Sequence, residues 1–306
     1  MKRLLIIFTA LLMFATTMSA GEKLTIRDIT GSKFSAKMVN GMNPISGTDT
    51  YARIEGKKIV SYSFKTGKQV SVLFDADNTI GKKIDGFDSY IFSPDGKRML
   101  IQTKTEKIYR RSYKAEFYIY NIASRRLDPL SDGGPQQVPT WSNDGLQVAF
   151  VRDNNIFLVK LLYDNAEIQV TKDGKFNEVI NGLPDWVNEE EFGFNRALTF
   201  NADGTMLCWL RYDESKVKTY SLQMYKGLAP ENEEYADYPG FYSYKYPKAG
   251  EDNSRMSAWS YDIKSHKINK LQVPLDEDGY MPRIKPTDNP ASIVVYTMNR
   301  HQDQLC

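Results

Sequence analysis

The sequence is poor in the residues from which metal and redox sites are made. It has two cysteines and two histidines in 306 residues. There is no CxxC, no HExxH and no Cys/His cluster, so a zinc site is not expected. Cys208 falls in a strand-like run and Cys306 is the last residue, so no disulfide is expected between them. Charge of one sign is missing too. The net charge is +2, and Lys2 and Arg3 supply all of it, leaving 38 basic against 38 acidic residues. Such a chain has no electrostatic reason to seek nucleic acid or an anionic membrane. A long hydrophobic run is also lacking. The run from Leu4 to Ala15 is short of the ~20 apolar residues a spanning helix needs. It follows Lys2 and Arg3 and ends in Thr16, Thr17, Ser19, Ala20 and Gly21, the layout of a cleavable signal peptide over residues 1–20. The mature chain, residues 21–306, is therefore expected in a periplasm or secreted, with no membrane span. Apolar residues at 41% and charged residues at 25% are globular values.

What is present is a repeat. FSPDGKRMLIQ begins at Phe92, WSNDGLQVAFV at Trp141 and FNADGTMLCWL at Phe200. Each is an aromatic, a polar stretch ending in Asp-Gly, and an apolar strand. Asp95-Gly96, Asp144-Gly145 and Asp203-Gly204 are spaced by 49 and 59 residues. Asp-Gly between apolar runs is a hairpin signal, because Gly takes positive φ without steric cost. A period of about 50 residues matches a four-stranded blade. Strand-like runs fall at 89–92, 98–104, 116–121 and 126–130, and again at 138–141, 147–152, 155–161 and 166–171. No 12-residue segment after residue 20 has a helical period. The fold expected is all-β, a β-propeller of four-stranded antiparallel blades. It is incomplete at about four and a half blades, with residues 292–300 as a second strand and Gln304-Leu305-Cys306 opening a third.

Blade topology sorts the loops. With strands a to d running outward, the a–b and c–d turns lie on one face. The b–c loops and the crossings between blades lie on the other. The long segments all fall on the second face: residues 105–115, residues 173–197, and an excursion over residues 213–255. Loops held by a rigid scaffold carry function. Two candidates stand out. Adjacent glutamates, as in Asn188-Glu189-Glu190-Glu191, cannot share a ligand from a strand but converge on a turn or short helix, making a receptor for an ammonium group. The run fits a solvated first helical turn as well. Arg110, between Tyr109 and Tyr113, suits a carbonyl or carboxylate, or is an ordinary surface charge. The 213–255 excursion, rich in Tyr and Pro, reads as a protruding arm or a loose insertion.

GLPDWVNEEEF at residues 182–192 resembles the double-Glu motif of the dipeptidyl peptidase IV branch of the prolyl oligopeptidase family. KIYRRSYKAEFYIYN at residues 107–121 resembles its substrate-Arg loop, and YPKAG at residues 246–250 a segment after its propeller arm. The likeness covers most of residues 46–299. It implies an eight-bladed propeller over an α/β-hydrolase domain that removes X-Pro or X-Ala dipeptides from peptides with a free N-terminus. It also implies a homodimer, and no cofactor. By motif position Glu190 and Glu191 would bind the substrate amine and Arg110 its carbonyl, with Glu189 outside the pair. The family's tyrosine after Trp-Val is Asn188 here. The family nucleophile stands in a GxSxG elbow followed by Asp and His. This chain has no GxSxG, and His266 and His301 fall on strand-like runs, so no catalytic residue is expected in it. The expectation is the N-terminal propeller portion of a longer peptidase, inactive alone. The competing expectation is a stand-alone secreted propeller that binds a partner.

Overall fold

The computed structural model describes residues 23–36, 41–227, 235 and 237–306. The signal-peptide expectation for residues 1–20 lies outside the described residues. The chain divides into two units at Met42. In the first, Thr25 caps the short helix α1 (Ile26–Thr30), with Thr25 and Asp28 bonding reciprocally and no helix residue buried.

The second unit is made of antiparallel meanders. In the first sheet β1 (Asn43–Pro44), β2 (Thr50–Glu55), β3 (Lys58–Ser63) and β4 (Gln69–Asp75) pair in chain order. The second holds β6 (Ser89–Phe92), β7 (Arg98–Lys107), β8 (Tyr113–Asn121) and β9 (Arg126–Pro129), with β5 (Ile80–Gly81) added in parallel at its β9 edge. The third is β10 (Gln137–Trp141), β11 (Gln147–Arg152), β12 (Asn155–Lys160) and β13 (Ala166–Gln169). In the fourth, β14 (Val179–Asn181) and β15 (Leu198–Phe200) both pair with β16 (Met206–Asp213), which is followed by β19 (Arg255–Asp262) and β20 (Ile268–Lys270). A separate hairpin, β17 (Thr219–Met224) with β18 (Gly240–Lys245), rises between β16 and β19. In the fifth, β21 (Tyr280–Pro286) pairs with β22 (Ile293–Met298), and Leu305 bridges to Met298.

The repeat is a turn device. Gly96, Gly145 and Gly204 have φ of 67°, 67° and 72°. The preceding Asp accepts the amide two residues on, from Lys97, Leu146 and Thr205. Ser93, Ser142 and Asn201 accept the first amide of the returning strand, from Arg98, Gln147 and Met206. Each tight turn thereby satisfies donors that would otherwise be orphaned.

Alternation along each strand binds the sheets face to face. Met99 and Ile101 pack with Ile59 and Phe74 of the first sheet. Leu100, between them, points the other way, onto Val148 and Phe150 of the third. Ala149 and Val151 in turn join Leu207, Trp209 and Leu210 of the fourth, and the same cluster reaches Met281 and Ile284 of the fifth. Full burial of such side chains contributes about 1.5–3 kcal/mol each. The result is an all-β, propeller-like stack in which the second and third sheets are covered on both faces by their neighbours, while the first leaves Ile54, Val70 and Val72 exposed.

The histidine placement needs correction. His266 has a φ of 60° in the turn between β19 and β20, and His301 lies in the turn after β22. Neither is on a strand, and His301 falls on the b–c side. Cys208 is buried in β16, Cys306 is exposed, and both thiols are free.

Candidate functional site

The b–c loop of the second sheet closes as a tight turn. The amides of Ile108 and Tyr109 both reach the Ser112 carbonyl, and the Tyr109 amide also reaches Ser112 Oγ. This presents Arg110 at the tip, 70% exposed. The crossing from the third to the fourth sheet contains α2 (Trp186–Phe192), so the glutamate run is helical, as a converging pair requires. Asp185 is the N-cap. Its carboxylate accepts from the amide and side chain of Asn188 and from Ser254 at the head of β19. Burial pushes the Asp185 carboxyl above the usual carboxylate range, against those three donors. At the other end Gly193 takes the left-handed conformation that stops the helix. Arg283 of β21 donates to the freed Phe192 carbonyl at 2.6 Å.

Loop and helix meet. Arg110 Nη2 lies 2.8 Å from Glu190 Oε1. Glu191, the next residue of α2, is exposed and has no ion pair among the described residues. Arg110 and Glu190 are thus in contact, though the loop and the helix come from different sheets. Asn188 is buried under the helix start; its Nδ2 is bonded to Asp185 and its Oδ1 has no partner among the described residues.

Glu189 is the residue that sequence reasoning passed over. It is 2% exposed. Its Oε1 accepts the amides of Arg111 and Ser112, both at 2.8 Å. A second tie runs from Asn195 Nδ2 to the Arg111 carbonyl at 2.8 Å. Aromatic contacts close the flank. Trp186 lies 4.5 Å from Tyr246 and 6.0 Å from Tyr244, and Tyr244 reaches Tyr109 at 6.3 Å. The base of the β17–β18 hairpin is therefore packed against both site elements.

A cavity of about 440 Å³ adjoins them, lined by Tyr109, Asp185, Trp186, Glu189, Glu214 and Tyr244 among others. Glu214 is 6% exposed. Burial first, and then the Asp185 carboxylate, push its pKa up to about 7, with Lys245 opposing. Arg110, Glu190 and Glu191 do not line this cavity. Among the described residues no group of His, Cys, Asp and Glu is arranged to hold a metal, and no helix is long and apolar enough to cross a membrane.

Comparison with known proteins decides the family. Residues 93–306 match the family described as Dipeptidyl peptidase IV (DPP IV) N-terminal region. The chain belongs to this family. The match contains the Arg110 loop, α2 and the hairpin. A crystal structure of dipeptidyl peptidase 4 from Porphyromonas gingivalis superposes with a TM-score of 0.86 and 38% identity, covering 93% of this chain and 40% of that one. The protein named "Probable dipeptidyl-aminopeptidase B" from Pyrenophora teres f. teres is 29% identical over 95% of this chain and 34% of its own length. The protein of the same name from Podospora anserina is 38% identical over 70% of this chain and 24% of its own length. The chain thus spans about a third of the curated relatives it matches.

Proposed function

We propose that this chain is the substrate-recognition part of a dipeptidyl peptidase IV-like serine exopeptidase, which removes X-Pro or X-Ala dipeptides from peptide N-termini. One observation carries the reading: Arg110 and Glu190, from segments of different sheets, stand 2.8 Å apart, and the next residue of α2, Glu191, is exposed. Two carboxylates from successive helical residues suit an ammonium group. The guanidinium beside them suits the first carbonyl of the same peptide, within the ~7 Å span of an extended dipeptide. In the free protein the Arg110–Glu190 pair is exposed enough to be worth about 1 kcal/mol or less, so exchanging it for a substrate amine costs little.

On this reading residues 1–20 direct export and the mature protein works in the periplasm or outside the cell. Bond cleavage belongs to a Ser-His-Asp hydrolase domain in the remaining length of the relatives, the propeller has eight blades, and the intact enzyme is a homodimer. The test is substitution in the intact protein. Glu190→Ala or Glu191→Ala removes a charge partner of the amine, worth about 2–5 kcal/mol at a desolvated site. Hydrolysis of a Gly-Pro chromogenic substrate is expected to fall at least tenfold. Activity within twofold of wild type for both variants would refute the amine site.

A further inference from the structure

We infer that Glu189 is a positioning residue: it locks the arginine loop onto α2 and thereby sets the Arg110–Glu190 pair. The inference rests on the amine-site reading for its consequence and on geometry for its mechanism. Two contacts run side by side. Glu189 holds the Arg111 amide, and Glu190 holds the Arg110 side chain, so neighbouring residues on the loop meet neighbouring residues on the helix. Only one of these contacts is built to hold. The Arg110–Glu190 pair is open to water, with Arg110 70% exposed, and screening leaves it weak. The Glu189 carboxylate is buried and receives two charge-assisted bonds on one oxygen.

Glu189 also lines the neighbouring cavity, but the loop amides are the only hydrogen-bond donors to its carboxylate among the described residues. It has no ion pair among the described residues, so the two loop amides and the first-turn position of α2 are what compensate its buried charge. One of its carboxylate oxygens is spent on the loop backbone, and the residue lines the cavity that neither Arg110 nor Glu190 lines. A third glutamate reading the substrate amine would need to be exposed, as Glu191 is. The chemistry is therefore acceptor reach, not charge on a ligand.

Reach and charge separate by substitution. Glu189→Gln keeps an acceptor oxygen at the same distance and loses the charge. Glu189→Asp keeps the charge and falls short by one methylene. The experiment uses the 306-residue chain. Amide exchange is read at Arg111 and Ser112, and binding of Gly-Pro-Ala and of its N-acetyl form is measured by calorimetry. Glu189→Asp and Glu189→Ala are expected to exchange both amides at least tenfold faster, with β11 protection unchanged. Both are expected to weaken Gly-Pro-Ala at least tenfold, while Glu189→Gln stays within about threefold of wild type in both readouts. Retained protection in Glu189→Asp, or a Gln variant as weak as Ala, overturns the inference. If Ala does not fold, the Asp and Gln variants still decide. A wild-type chain that binds neither peptide refutes the amine-site reading, and the exchange data alone then judge the lock.

Discussion

Single side chains here divide between those offered to a ligand and those withdrawn from it. Along α2, Glu191 is exposed and Glu190 half-buried, while Asn188 and Glu189 are buried and hold the helix to its surroundings. Glu214 is the withdrawn residue with a pH signature. Its folded pKa is about 7 against an ordinary 4.5, first because of burial and then because Asp185 lies near. Lys245 and the Asn177 amide pull the other way, and Asp213 adds to the repulsion. From about pH 4.5 to about 7 the folded chain holds a proton that the unfolded chain has released. Stability is thus greatest at the acid end of that window and falls as pH rises through it, by about 1–3 kcal/mol for a shift of this size. Urea unfolding across pH 4–8 is expected to show this slope in the wild type and a flatter one in Glu214→Gln. Identical slopes would mean that Glu214 ionises without hindrance.

Elements of the structure differ in how far the sequence announces them. The Asp-Gly turns are legible because the requirement at Gly96, Gly145 and Gly204 is local, a positive φ between two apolar runs. The meeting of the Arg110 loop with α2 is legible at one remove, since antiparallel strands put every b–c loop and crossing on the same face. The two-residue β5 and three-residue β14 are not legible, because nothing so short carries a period. Nor is the inward turn of Glu189. Three glutamates in a row on a seven-residue helix point about 100° apart, and the choice of which one enters the interior is made by contacts 77 and 78 residues away. The β17–β18 hairpin is legible as an arm. Its paired strands expose Leu222 at 41% and Phe241 at 67%, on a ribbon whose base is tied down by Tyr244 and Tyr246. Apolar groups held out in this way mark a contact surface. In the proposed homodimer, Phe241→Asp is expected to shift the intact protein toward monomer in light scattering while leaving its melting temperature within a few degrees. An unchanged dimer mass would count against the hairpin.

At the scale of the whole molecule, recognition and bond cleavage make different demands on the fold. The elements proposed to recognise substrate draw on four sheets: the loop from the second, α2 from the crossing between third and fourth, Ser254 from the fourth and Arg283 from the fifth. Continuous hydrophobic packing joins these sheets to one another. Hydrolysis needs more, because a serine is a poor nucleophile until a histidine within hydrogen-bond reach takes its proton. Here the nucleophile elbow is absent from the sequence. His266 is engaged by Tyr261 through Nδ1 in a turn on the tight-loop face. His301, which the structure moves off its strand, is exposed. The purified 306-residue chain is therefore expected to bind a peptide bearing a free N-terminus and to leave it intact. With a Gly-Pro chromogenic substrate its rate should match the blank at any enzyme concentration. Turnover that scales with the chain and is abolished by a serine-directed inhibitor would show that a nucleophile lies within these residues, and the division of labour between recognition and cleavage would have to be abandoned.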